Sequence, residues 1–289
     1  MSVAAERRVS AGIRLEGVGK TFPSRGGAAP FTALAGVDLD VGPGEFVALV
    51  GPSGCGKSTL LDLVGGFTRP TSGSISVGDR PVTGPGLDRG LVFQQYALLP
   101  WRTALANVEL GLEAKRLSRR RRRAVAREHL ELVGLTGFED RYPHQLSGGM
   151  RQRVAIARSL AFDPDVLLMD EPFAALDAQT RETLQGELLR IWDRTGKTVV
   201  FITHGIDEAV LLGQRVAVMT PRPGRITAVL DVPLSLARRQ GDVRSDPDFA
   251  RIRHRVWELL QEEPATAVTP PVVGGLAAGV PVREVVGVG

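Results

Sequence analysis

A chain of 289 residues, 43% hydrophobic and 24% charged, has the make-up of a globular protein, which excludes disorder of the whole and leaves room for one large core or two modest ones. No run of about 18 uncharged apolar residues occurs, and residues 1–10 carry Glu6, Arg7 and Arg8 with no apolar secretion signal; the protein is expected to stay in the cytosol. Its single cysteine, Cys55, can close no disulfide within the chain, and the net charge of +4 favours anionic neighbours without choosing among them.

Residues 1–12 are expected to form a flexible N-terminus. Gly42-Pro43-Gly44 marks a turn, and Phe46-Val47-Ala48-Leu49-Val50 then reads as a strand buried on both faces. A glycine-rich loop follows, and Leu60-Leu61-Asp62-Leu63-Val64 starts a helical stretch. Similar apolar runs at 166–169, 199–202 and 216–219, with helical patterns between the first three, predict a parallel sheet flanked by helices. From about residue 95 to 160 no strand run occurs: Ala104 to Leu112 and Arg119 to Val133 have helical spacing, which predicts a helical subdomain inserted into the α/β core. Arg116, Arg119, Arg120, Arg121, Arg122, Arg123 and Arg127 crowd this stretch as a solvated helix face, with anionic lipid or nucleic acid as alternative contacts; the sparse aromatics nearby offer bases no stacking platform. Asp246 before Pro247 predicts a capped terminal helix reaching Glu263, with Phe249, Ile252, Val256, Leu259 and Leu260 on one face. Residues 264–289 are Pro, Gly, Val and Ala without period and are expected to be a disordered tail.

The chemistry begins at Gly51-Pro52-Ser53-Gly54-Cys55-Gly56-Lys57-Ser58-Thr59, which fits G-x-x-x-x-G-K-[ST] between a buried strand and a helix. The glycines let backbone N–H groups converge on phosphate, the helix N-terminus adds positive potential, Lys57 reaches the β- and γ-phosphates of ATP, and Ser58 offers its hydroxyl to Mg²⁺. Val166-Leu167-Leu168-Met169-Asp170-Glu171 delivers two carboxylates to a strand's C-terminal end, where α/β sheets bind ligands. Asp170 is expected to hold Mg²⁺, and Glu171, turned to the other side, to polarise the water that attacks the γ-phosphate.

Leu146-Ser147-Gly148-Gly149-Met150-Arg151-Gln152-Arg153 resembles the signature motif of ABC ATPases, opening a helix with Val154, Ala157 and Leu160 inward. A serine hydroxyl, two close-approach glycines and a positive helix end make a second γ-phosphate receptor; in that family it receives the nucleotide held by a partner subunit. Met150 stands where the family usually has glutamine. The resemblance spans about residues 13–263 and implies an α/β P-loop NTPase core over 13–245, with the helical insertion and a small N-terminal antiparallel β part. It also implies ATP, Mg²⁺ and a head-to-tail homodimer. Phe22 is placed to stack on adenine, with a plain core phenylalanine as the alternative. Gln94 looks like the glutamine that touches Mg²⁺ and the attacking water, Gln95 being the less favoured choice. Asp177 in Ala175-Leu176-Asp177 resembles the residue of the loop that communicates across the dimer, and His204 resembles the switch histidine of the γ-phosphate. Gly205 follows it where the family commonly has aspartate.

Gly84-Pro85-Gly86 with Arg89-Gly90, Leu98-Leu99-Pro100-Trp101-Arg102 and Pro221-Arg222-Pro223-Gly224-Arg225-Ile226 resemble the nitrate, sulfonate and taurine importer branch; residues 233–239 and 245–249 are most similar to taurine-type ATPases. The branch implies separate membrane permease subunits, an extracytoplasmic solute-binding protein, no nucleic acid, and a peripheral place on the cytoplasmic face of the cell membrane. Trp101 is expected either as a socket for the permease or as core of the helical subdomain. The alternative function is a soluble ABC ATPase acting on nucleic acid or ribosomes.

Overall fold

The computed structural model describes residues 10–23, 29–239 and 241–262. The first elements are two long strands, β1 (Ile13–Phe22) and β2 (Phe31–Val41), paired antiparallel so that Phe22 faces Phe31. After the turn at Gly42-Pro43-Gly44 comes β3 (Phe46–Val50), buried at every position, and then the glycine-rich loop and α1 (Lys57–Gly65). Strands β4 (Ser72–Val77) and β5 (Arg80–Pro81) join the first two in an antiparallel sheet of order β2-β1-β4-β5.

A short strand, β6 (Arg89–Val92), precedes a stretch of helices: α2 (Ala104–Ala114), α3 (Arg119–Leu132) and α4 (Gly148–Ala161). Thr103, Ser118 and Ser147 each cap the helix that follows by accepting a backbone N–H, and this fixes where each begins. On α3 the side chains of Ala126 and Leu130 are buried, and Arg119, Arg120, Arg121, Arg123 and Arg127 are exposed. The remaining elements are β7 (Val166–Asp170), α5 (Ala178–Thr195), β8 (Thr198–Thr203), α6 (Ile206–Leu212), β9 (Arg215–Thr220), β10 (Arg225–Asp231), α7 (Leu236–Arg239) and α8 (Pro247–Gln261).

The larger sheet has the order β10-β9-β3-β8-β7-β6, parallel except for β10, which returns antiparallel on β9. Alternation along β3 divides the core. Val47 and Leu49 pack toward α1 and the antiparallel sheet, Ala48 and Val50 toward α6 and α8, and Phe46 toward the helical segment. With β3, β7 and β8 in register, Val50 opposite Thr203 and Asp170 opposite Ile202, their C-terminal ends open on one edge. The phosphate loop, the Asp170-Glu171 pair and His204 leave the sheet there.

The terminal helix is capped by Asp246, whose carboxylate accepts the Asp248 N–H at 2.9 Å, and it ends at Gln261; Glu263, the tail from 264 and residues 1–9 lie outside the described residues. Arg238 clasps Asp246 through two nitrogens, which holds the Asp246 carboxyl below its usual range. Arg239, only 5% exposed, donates to the carbonyls of Leu234 (2.8 Å), Val210 (3.2 Å), Leu211 (2.5 Å) and Val232 (3.4 Å), tying α7 to the last turn of α6. Burial lowers its pKa to about 10, so the guanidinium stays charged at neutral pH. Arg239→Ala leaves these buried carbonyls short of a donor and is expected to destabilise the fold by about 2–4 kcal/mol. Urea unfolding measures this, and an unchanged midpoint would show that the clasp contributes nothing.

Candidate functional site

The loop after β3 is shaped by Gly54 (φ 77°) and Gly56 (φ 101°), conformations that L-residues with a side chain rarely adopt. Gly56 caps α1 without a side-chain partner, so the first N–H groups of that helix point out of the loop free for an anion. Lys57 is 7% exposed, and its ammonium donates to the carbonyls of Gly51 (2.7 Å) and Pro52 (3.1 Å). Among the described residues no carboxylate pairs with it. A buried ammonium held by carbonyls, with the Asp170 charge acting on it without a direct ion pair, is a site that a polyanion neutralises further.

Facing this loop are Glu171 and His204, with His204 Nδ1 3.1 Å from a Glu171 carboxylate oxygen. Glu171 sits at φ 42°, an uncommon backbone conformation for a glutamate, and its N–H is held by the Ile202 carbonyl at 2.9 Å. Ser53, Gly54, Gly56, Lys57, Ser58, Thr59, Glu171 and His204 line one cleft of about 480 Å³. Gly205, which lacks the carboxylate common at its place, opens α6 instead by donating its N–H to Thr203 Oγ1 at 3.0 Å, and the Thr203 hydroxyl bonds Glu208.

The Ser58 hydroxyl lies beside the Asp170 carboxyl. Burial raises the carboxyl pKa, Ser58 pulls it back, the Glu171 and Asp62 carboxylates raise it further, and the Lys57 charge lowers it. A hydroxyl and a carboxylate side by side are hard oxygen donors of the kind Mg²⁺ takes. Among the described residues no group of three or more His, Cys, Asp or Glu side chains could hold a metal. The pair therefore suits an ion that draws its remaining oxygens from phosphate and water.

The other residues singled out by sequence line a different surface. Ser147 is exposed at the start of α4 and accepts the Met150 N–H at 3.2 Å, a bond that uses backbone and does not depend on the side chain at 150. Gly149 packs where a Cβ would lie 2.7 Å from Thr180 Cγ2, and Thr180 in turn donates its N–H to Asp177 at 2.9 Å. That bond holds the Asp177 carboxyl below its usual range. Gln94 and Gln95 are exposed after β6, and Trp101 is 72% exposed, which removes the alternative that it fills a core. Asn107, fully buried, holds the Trp101 loop through Leu99 N–H (2.8 Å) and the carbonyls of Leu99, Arg102 and Thr103. Arg158 and Ser159 of α4 bond the carbonyls of Tyr96, Ala97 and Leu91, joining the helix that begins at Ser147 to the loop that carries Gln94.

Phe22 is 38% exposed, with the Lys20 ammonium 5.1 Å from its ring centre, so it is no core phenylalanine; yet the ring on the cleft wall is Phe31, its neighbour across the strand pair. Arg222 also lines the cleft. Sequence reasoning missed both. Only the pairing register of β1 and β2, and the return of the β9–β10 loop, bring them there.

The fold and the phosphate loop define a P-loop nucleoside triphosphatase. A family model described as ABC transporter matches residues 34–174. The nitrate import ATP-binding protein of Synechococcus elongatus is 49% identical over 86% of this chain and 91% of its own, and the taurine import ATP-binding protein of Burkholderia pseudomallei is 49% identical over 85% and 95%. Among solved structures, a dimeric post-hydrolysis ATP-binding cassette bound to ADP and phosphate aligns with a TM-score of 0.67 at 37% identity, over 77% of this chain and all of that one. The chain belongs to the ATP-binding subunits of ABC transporters, in the import branch, and is an ATPase.

Cys55 lies at the centre of the phosphate loop and is fully buried; burial raises its thiol pKa above the ordinary value, against the nearby Lys57 charge, which lowers it. Because the thiolate is the reactive form, the native protein is expected to show no thiol titratable by a disulfide reagent at pH 7, and one after unfolding. Rapid labelling of the native protein would contradict this burial.

Proposed function

We propose that two copies of this chain, each with its ATPase domain over residues 13–245, close head to tail around two ATP molecules. The N–H groups of the phosphate loop and the Lys57 ammonium bind the β- and γ-phosphates of one ATP, and Ser147, Gly148 and Gly149 of the other copy bind the outer face of the same γ-phosphate. Phe22 stacks on adenine, with Phe31 beside it. Glu171 orients a water molecule and takes its proton as the water oxygen bonds to the γ-phosphorus. The bond from that phosphorus to the β–γ bridging oxygen breaks, leaving ADP and phosphate. His204 holds the Glu171 carboxylate in place and, with Lys57, offsets charge on the γ-phosphate. Ser58, Asp170 and Gln94 would hold Mg²⁺, which when bound neutralises charge on the phosphate oxygens. Asp177 reports the state of one site to the other.

What carries this reading is the Glu171–His204 contact of 3.1 Å on the wall of the cleft lined by the lysine-bearing loop. A base and the group that orients it stand over the phosphate receptor, an arrangement a passive nucleotide-binding module does not need.

Closure of the dimer drives a permease in the membrane, with the chain peripheral on the cytoplasmic face. Among the described residues no helix is long and apolar enough to cross a membrane; the permease of this proposal is a set of separate subunits. Trp101, held out by the Asn107-braced loop next to Gln94, is the socket for a permease segment. An extracytoplasmic solute-binding protein completes the complex, and no nucleic acid takes part. The cargo is a small anion, an aliphatic sulfonate such as taurine being favoured by the late-chain resemblance, with nitrate the neighbouring case. The relatives that import taurine and nitrate are equally similar to this chain, at 49%.

Glu171→Gln tests the hydrolytic step. Turnover is expected to fall by about 10²- to 10⁴-fold while ATP still binds, measured by phosphate release alongside a nucleotide-binding titration. Near-normal turnover would remove Glu171 from the reaction.

A further inference from the structure

The loop joining β9 to β10, Pro221-Arg222-Pro223-Gly224, folds back onto the phosphate loop. Gly224 donates its N–H to the Ala33 carbonyl at 2.8 Å, and its own carbonyl accepts the Ala35 N–H at 3.1 Å. A Cβ at Gly224 would run into the Cys55 carbonyl oxygen and would lie 2.9 Å from Leu34 Cδ2, so only glycine permits this approach. The turn is thus fixed on one side by β2 and on the other by the phosphate loop. Its geometry does not depend on the Arg222 side chain.

Arg222 extends from this fixed turn to the cleft wall that also carries Ser53, Gly54, Lys57 and Ser58. Its Nη2 lies 3.8 Å from the place a Cβ on Gly54 would take. The guanidinium is exposed and, among the described residues, has neither a carboxylate within ion-pair distance nor a hydrogen-bond acceptor. It contrasts with Arg238 and Arg239, whose nitrogens are engaged by carboxylates or carbonyls. An unengaged planar fork at the mouth of an anion receptor, on a backbone held in advance, is suited to donate to phosphate oxygens, because only the side chain remains to be ordered on binding.

We propose that Arg222 is a nucleotide-binding residue that donates to the outer phosphates of ATP from the Gly54 side, opposite Glu171 and His204. The inference rests on the reading of this cleft as the ATP site and adds a phosphate ligand that the phosphate-loop pattern does not contain.

The test is equilibrium binding to the full chain. Kd is measured for ATP and, by competition, for inorganic triphosphate, with wild type, Arg222→Ala and Arg222→Lys. Arg222→Ala is expected to weaken both ligands by about tenfold, as for loss of one charge-assisted contact, with Arg222→Lys in between. Wild-type affinity for both ligands in Arg222→Ala overturns the proposal, even if ATP-dependent dimerisation is impaired. So does a loss seen with ATP and not with inorganic triphosphate, which would move the contact to base or ribose. If wild type itself binds neither ligand, the reading of the cleft falls together with the proposal.

Discussion

A positive charge buried at the mouth of a loop with no carboxylate in ion-pair contact, among the described residues, is the constraint around which the molecule is arranged. Lys57 is held by carbonyls of the loop it belongs to, and the N–H groups at the start of α1 point the same way. Such a receptor is electrostatically incomplete until a polyanion fills it. The parallel strands exist, in functional terms, to bring matching groups to it: β7 delivers Asp170 and Glu171, β8 delivers His204, and their register leaves these residues at one level beside the loop after β3. The half-buried Asp170 carboxyl is the negative counterpart: burial raises its pKa, against the Lys57 charge, which lowers it.

The helical segment gives that receptor mechanical connections. Helix α4 starts at Ser147, and farther along it Arg158 and Ser159 hold the carbonyls of the loop from β6, where Gln94 and Trp101 lie. Gly149 abuts Thr180, which is fixed by Asp177. A shift of Ser147 toward a nucleotide on another copy would therefore move the Gln94 loop and the start of α5 together. Packed elements with this many fixed contacts move as bodies and not by gradual deformation.

How much of this the sequence disclosed follows from how each element signals itself. Strands β3, β7, β8 and β9 are covered on both faces, and so were legible as apolar runs; α2 and α3 were legible from spacing, and α8 from spacing and the cap Asp246, whereas the caps Thr103 and Ser118 show only in the structure. Strand β1 was not legible from pattern: register shifts around Gly17 and Gly19 break the alternation that would mark it, and the antiparallel sheet was expected only from family resemblance. Strand β6 is four residues long with a buried arginine at its start, too short for any period to show. At the site, the residues that sequence could single out are those within contiguous motifs, because the chemistry requires them at fixed spacing. Phe31 and Arg222 are not among them, since each reaches the cleft through tertiary pairing, one across a strand register and the other by a returning loop.

The proposed hydrolysis needs the triphosphate shared between two copies, and Ser147 stands clear of the cleft in its own chain. A crystal structure of the Glu171→Gln protein loaded with ATP measures this directly. The expected result is a two-fold dimer with Ser147 Oγ of each copy in hydrogen-bond contact with the γ-phosphate held by the other. Ser147 distant from every nucleotide, in its own copy and in all neighbours, would contradict it.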